Sequence, residues 1–143
     1  MFRISLYILI LIYFTSCEVC GVKSEPTVNI YINSPSSYPY KTVKTLGTLK
    51  ESNSFSNIPL NLNSTSTTYI FENPTKNDTL TLFYQVVLED KGGRCGYILD
   101  IKAPNGPTSK STFKNVRVDY LSYYYQRRFF GSGEGGVFVQ ITL

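Results

Sequence analysis

From Thr27 onward, apolar and polar positions alternate at the two-residue period of a half-buried β-strand. In Thr27-Val28-Asn29-Ile30-Tyr31-Ile32-Asn33, the side chains of Val28, Ile30 and Ile32 fall on one face, which predicts an early strand. The segment Ser34 to Tyr40 carries two prolines and ends it. Lys41 to Lys50 predicts a strand interrupted at Gly47, with an irregular loop as the competing reading. Phe55 to Leu62 alternates loosely, and Pro59, which has no N–H to give a ladder, makes it an edge strand at best. Thr67 to Phe71 is a further short strand, ended by Asn73-Pro74.

The clearest run is Thr79 to Asp90, with Leu80, Leu82, Tyr84, Val86 and Leu88 on one face and Phe83 and Val87 on the other. It predicts a single central strand buried partly on both sides. Lys91-Gly92-Gly93 signals a turn, and Gly96 to Ile101 returns as a strand. After the turn formers Pro104 to Pro107, Val116 to Tyr120 alternates strictly, and Gly136 to Ile141 supplies the final strand. After the leader, no window carries the 3.6-residue apolar period of an amphipathic helix. The fold class expected is therefore all-β: a small antiparallel β-sandwich or barrel of about seven to eight short strands.

The first residues follow another pattern. Arg3 precedes the apolar run Ile4 to Phe14, which has the length of a signal-peptide core and falls short of the roughly 20 apolar residues a spanning helix needs. Residues 1–17 are expected to be a secretory signal, with cleavage after Cys17 or as late as Gly21, leaving one β-rich domain over 22–143. A short membrane anchor competes with that reading. So does a lipobox, because Phe14-Thr15-Ser16-Cys17 resembles one, and lipidation of Cys17 would then tie the protein to a membrane. Cleavage after Cys17 leaves Cys20 and Cys95 able to close a long-loop disulfide in an oxidising compartment, whereas cleavage after Gly21 leaves Cys95 alone. The sequons Asn63-Ser64-Thr65 and Asn77-Asp78-Thr79 make Asn63 and Asn77 candidate glycosylation sites.

Candidate chemistry is sparse. The sequence contains no histidine, which removes the commonest general base and transition-metal ligand, and its cysteines form no zinc-type pairing. Asp90, Asp100 and Asp119 fall at strand ends or outward positions, where solvated carboxylates rather than a glycosidase pair are expected. The run Gly131 to Gly136 could mimic a phosphate-binding nest, but no helix follows it, and a hairpin turn accounts for it better. The expectation is a protein that is not an enzyme and holds no metal and no cofactor. Its formal net charge of +4 is too mild to indicate nucleic acid.

One stretch invites a binding role. In Tyr120 to Phe130, YLSYYYQRRFF, the alternation turns Val116, Val118 and Tyr120 to the core and Arg117 and Asp119 to water. Three successive tyrosines cannot then all face inward. Tyr123, Tyr124, Tyr125, Arg127 and Arg128 are the candidate binding residues, a stacking platform with cation–π capacity. The competing reading packs the rings along a strand and its loop. Export favours a protein or glycan partner over nucleic acid.

Leu80 to Ile141 also resembles an insect secreted-protein family named after multiprotein bridging factor two. The residues that carry the likeness are the strand closing at Asp90, Gly92-Gly93-Arg94-Cys95-Gly96-Tyr97 where the family has Gly-Gly-Tyr, Asn105-Gly106, Val116-x-Val118-x-Tyr120-x-Ser122, the basic Gln126-Arg127-Arg128 and the closing strand Gly136 to Ile141. Arg94-Cys95 interrupts the family element, the loop from Ser122 to Gly136 is longer and more aromatic, and the closing Tyr-Gly is missing. The resemblance implies a small β-rich extracellular protein and supplies no established catalytic residues to carry over. The family name implies a transcriptional co-activator, which the leader argues against.

Overall fold

The computed structural model describes residues 25–34, 40–46, 51–52, 54–90, 96–122 and 136–143. Among these, eleven strands are present: β1 (Thr27–Asn33), β2 (Thr42–Leu46), β3 (Glu51–Ser52), β4 (Ile58–Pro59), β5 (Ser66–Glu72), β6 (Asp78–Phe83), β7 (Gln85–Asp90), β8 (Tyr97–Lys102), β9 (Ser109–Ser111), β10 (Asn115–Leu121) and β11 (Gly136–Thr142). They form a four-stranded sheet in the order β10-β11-β1-β4, a five-stranded sheet in the order β3-β2-β5-β6-β9, and the hairpin β7-β8. None of the sheets closes on itself, and the architecture is an all-β sandwich. The strand count exceeds the seven or eight expected, because β3, β4 and β9 are two- or three-residue ladders too short to show periodicity.

Both large sheets turn one face inward, as a two-residue side-chain period requires. Val28 and Ile30 of β1 and Val137, Val139 and Ile141 of β11 are buried in the first sheet. Val43, Tyr69, Phe71, Leu80 and Leu82 are buried in the second, and all join one core cluster. The core is rich in rings: Phe71 meets Phe113 edge-on with centroids 5.0 Å apart, and Tyr40 edge-on at 5.7 Å. Val116, Val118 and Tyr120 of β10 pack against the same cluster while Arg117 and Asp119 stay exposed, as their alternation predicts. Ile58-Pro59 pairs along the edge of the first sheet, where proline is tolerated.

One pairing could not be read from alternation. The first strand of the domain lies parallel to the last, Thr27 beside Gly136 through Asn33 beside Thr142, and Leu143 N–H continues the ladder to the carbonyl of Asn33 at 3.1 Å. Gly136 has a φ of +136°, and a Cβ there would stand 2.1 Å from the carbonyl oxygen of Thr27. Only glycine lets the two backbones approach so closely.

The stretch Thr79–Asp90, expected as one central strand, is a correction. It is two strands in different sheets, with Tyr84 between them. Phe83 N–H donates to the carbonyl of Thr108 at 3.0 Å and Tyr84 N–H to that of Thr65 at 2.9 Å, so the backbone leaves one ladder without losing partners. Beyond the switch the hairpin projects from the core. Val86 remains packed on the core cluster, but Leu88 is 63% exposed rather than inward-facing.

Candidate functional site

The residues singled out in the aromatic stretch, Tyr123, Tyr124, Tyr125, Arg127 and Arg128, lie outside the described residues, as do Cys17, Cys20, Cys95 and the leader. Asn63 and Asn77 are described, and both are exposed. Asn63 sits in the turn before β5, where Asn61 accepts the N–H of both Asn63 and Ser64, and Asn77 immediately precedes β6.

The acids divide. Asp90 and Asp119 are exposed. Asp100, expected on a solvated face, is only 1% exposed. Its Oδ1 accepts the N–H of Ile101 at 2.9 Å and its Oδ2 the hydroxyl of Ser122 at 2.5 Å, tying β8 to the end of β10. Among the described residues no group of three His, Cys, Asp or Glu side chains is arranged to hold a metal ion.

Among the described residues, the outward face of the first sheet carries two adjoining grooves. Its strands turn Tyr31 and Asn33 (β1), Phe138, Gln140 and Thr142 (β11), and Arg117 and Asp119 (β10) away from the core, in positions fixed by register. Tyr31 lies beside Gln140, which lies beside Arg117, while Phe138 lies beside Asp119. Tyr31 is 55% exposed although it follows the three buried residues Val28, Asn29 and Ile30. Its ring is within 7° of parallel to that of Phe138, with centroids 6.4 Å apart, so the rings are displaced rather than superposed. A shallow groove of about 300 Å³ runs here between Tyr31, Asn33, Asp119, Phe138 and Gln140. A second of about 390 Å³ continues past Gln140 towards Lys114, Asn115, Arg117 and Thr142.

The charges on this face largely cancel. Arg117 Nε lies 3.1 Å from Asp119 Oδ2, two residues along the same strand. Both side chains are more than half exposed in water or nearly so, and such a pair adds little stability. It holds two planar polar groups side by side next to the rings. Sequence reasoning placed Arg117 and Asp119 on the outer face but passed over Tyr31 and Phe138. The signal was present: Tyr31 alternates with Ile30 and Ile32 and so had to face away from the core.

A different cluster is structural. The Tyr84 hydroxyl donates to the carbonyl of Asn61 at 2.8 Å and lies 2.5 Å from Thr67 Oγ1, which in turn accepts the N–H of Asn61 at 2.9 Å. Burial pushes the Tyr84 phenol above its ordinary value despite these bonds, and burial pushes that of Tyr120 up to about 12. Neither group is poised for proton transfer near neutrality. Tyr120 donates to the carbonyls of Phe83 and Thr108, which fastens β10 to the sheet switch.

Comparison with protein-family models, with curated proteins and with solved structures finds no match for this chain.

Proposed function

We propose that the protein is exported and acts without catalysis, by binding a protein or glycan partner through the outer face of the four-stranded sheet. The observation that carries this reading is the exposed ring of Tyr31, parallel to that of the half-buried Phe138, beside a groove lined by planar polar side chains. A large ring left in water on a paired sheet, next to hydrogen-bonding groups held in register, is what a preorganised recognition surface requires. The aromatic and basic stretch from Tyr123 follows β10 directly in sequence and extends the same proposal. Export rests on the signal-like residues 1–17 and on the two exposed sequons. The likeness to the bridging-factor family supports the same assignment, a small secreted β-rich protein.

The test is expression in insect cells, with intact mass taken before and after deglycosylation and reduction, followed by retention on immobilised cell-surface and extracellular material. Export predicts a chain starting at Glu18 with removable glycans on Asn63 and Asn77, and a gain of two hydrogens on reduction if Cys20 and Cys95 are joined. An uncleaved, unglycosylated intracellular chain contradicts it. The binding claim predicts that Tyr31→Ala lowers retention while leaving thermal stability unchanged, and equal retention of the variant contradicts that claim.

A further inference from the structure

We infer that the occupant of the outer sheet face is an uncharged oligosaccharide, lying across β10, β11 and β1 with a sugar ring against Tyr31. The inference rests on the binding reading above and narrows it to one ligand chemistry.

Size is the first argument. The paired strip runs from Asn115 to Leu121 along β10 and is three strands wide. At ~3.3 Å per residue and ~4.8 Å between strands, that is roughly 20 Å by 10 Å. A stable protein interface buries about 800 Å² on each partner, several times this footprint. The grooves of about 300 and 390 Å³ fall at the small-ligand end of the scale instead.

Chemistry is the second. Between the rings and the far end, the outward side chains are amide, carboxylate, guanidinium and hydroxyl: Asn33, Gln140, Asp119, Arg117 and Thr142. Leu121, 36% exposed at the end of β10, is the single outward aliphatic side chain of these three strands among the described residues, and the carboxylate of Asp119 is a group that protein interfaces are depleted in. Aromatic faces carry negative charge density, which attracts the partly positive C–H hydrogens on the flat side of a pyranose, while planar amide and carboxylate groups bridge its vicinal hydroxyls.

Charge is the third. Arg117 and Asp119 neutralise one another at 3.1 Å. Their donors and acceptors therefore serve a neutral ligand without a field that would select an anion. Lys114 stands at the far end of the second groove, away from the rings. Neither Asn63 nor Asn77 lines either groove, so a glycan attached at those positions does not begin on this face.

The experiment is titration of the purified exported protein with hexasaccharides of glucose, N-acetylglucosamine and mannose, with a hexasaccharide of galacturonic acid as the anionic comparison. Amide chemical shifts and calorimetry supply the readouts. Binding of at least one neutral hexasaccharide is expected, with shifts concentrated at Tyr31, Asn33, Asp119 and Gln140. Tyr31→Ala should weaken it by about tenfold, as loss of one stacking ring implies. Leu88→Ser, exposed at the hairpin, should bind as the parent does. Three outcomes overturn the inference: no neutral hexasaccharide binds, the anionic one is preferred, or binding survives Tyr31→Ala and is lost instead in Tyr124→Ser. If sugars fail while Tyr31→Ala still lowers retention on extracellular protein, the binding reading stands and the sugar assignment falls.

Discussion

The hydroxyl of Tyr40 donates to Oδ2 of Asp78 at 2.8 Å inside the fold, joining the segment just before β2 to the first residue of β6, 38 residues later. Thr112 donates to Oδ1 of the same carboxylate at 2.8 Å, and Lys76 reaches that oxygen at 2.9 Å. Burial alone would raise the carboxyl of Asp78, but these partners together hold it below its ordinary value.

A pH dependence follows from that direction. A carboxyl lowered in the folded state adds stability that is fully present above the unfolded value of about 3.9 and is lost as pH falls through the lower folded value. Thermal unfolding measured from pH 7 to pH 2 should therefore show a steeper acid loss for the parent than for Asp78→Asn. Parallel curves would contradict this. Tyr40→Phe should cost about 1.5–3 kcal/mol at pH 7, the range for a hydrogen bond to a charged group.

Gly136→Ala should be among the most damaging single changes. The added Cβ would stand 2.1 Å from Thr27 O at a positive φ, so the parallel pairing of the first and last strands must open or shift. A loss of about 2–4 kcal/mol in urea unfolding is expected. A loss below about 0.5 kcal/mol would mean that the close approach at Thr27 is not required.

Tyr84→Phe removes the hydroxyl that satisfies Asn61 O and Thr67 Oγ1 at the sheet switch. Stranding buried polar groups costs about 1–3 kcal/mol. Leu88→Ser, four residues on, should change stability by less than about 0.5 kcal/mol because Leu88 already stands in solvent. Equilibrium denaturation of both variants checks the pair. A larger loss at Leu88 than at Tyr84 would restore the single-strand reading of this stretch.

Thr45 is buried on the inward face of β2, and its Oγ1 has no hydrogen-bond partner among the described residues. Thr45→Val keeps the branched shape and removes the unsatisfied oxygen. A gain of about 1 kcal/mol in unfolding free energy is expected, and a loss would show that the hydroxyl is satisfied in solution.

These cases also mark how far the sequence could be read. β1, β10 and β11 were largely legible, because Val28, Val116 and Val137 begin alternations whose inward members lie in the core or pack against it, although Asn29, on the other side of β1, is also buried. The Tyr84 switch was hidden: the apolar period continues unbroken through it, and only bonds to Asn61, Thr65 and Thr108, distant in sequence, reveal that the two halves join different sheets. Ser109–Ser111 gave no signal because β9 is held by its ladder to Leu80–Leu82 rather than by its own side chains. Asp100 was misplaced because its partner Ser122 comes from another strand. At the site, the outward positions of Arg117 and Asp119 were legible. That Tyr31 and Phe138 come together beside them depends on the parallel register of β1 and β11, which no local pattern encodes.

The most direct test of the binding account is carbene footprinting of the exported protein, free and while retained on immobilised extracellular material. The account predicts protection concentrated at Tyr31, Phe138 and Gln140. Protection confined to the exposed hairpin residues Leu88 and Tyr97, with Tyr31 labelled equally in both states, would contradict it.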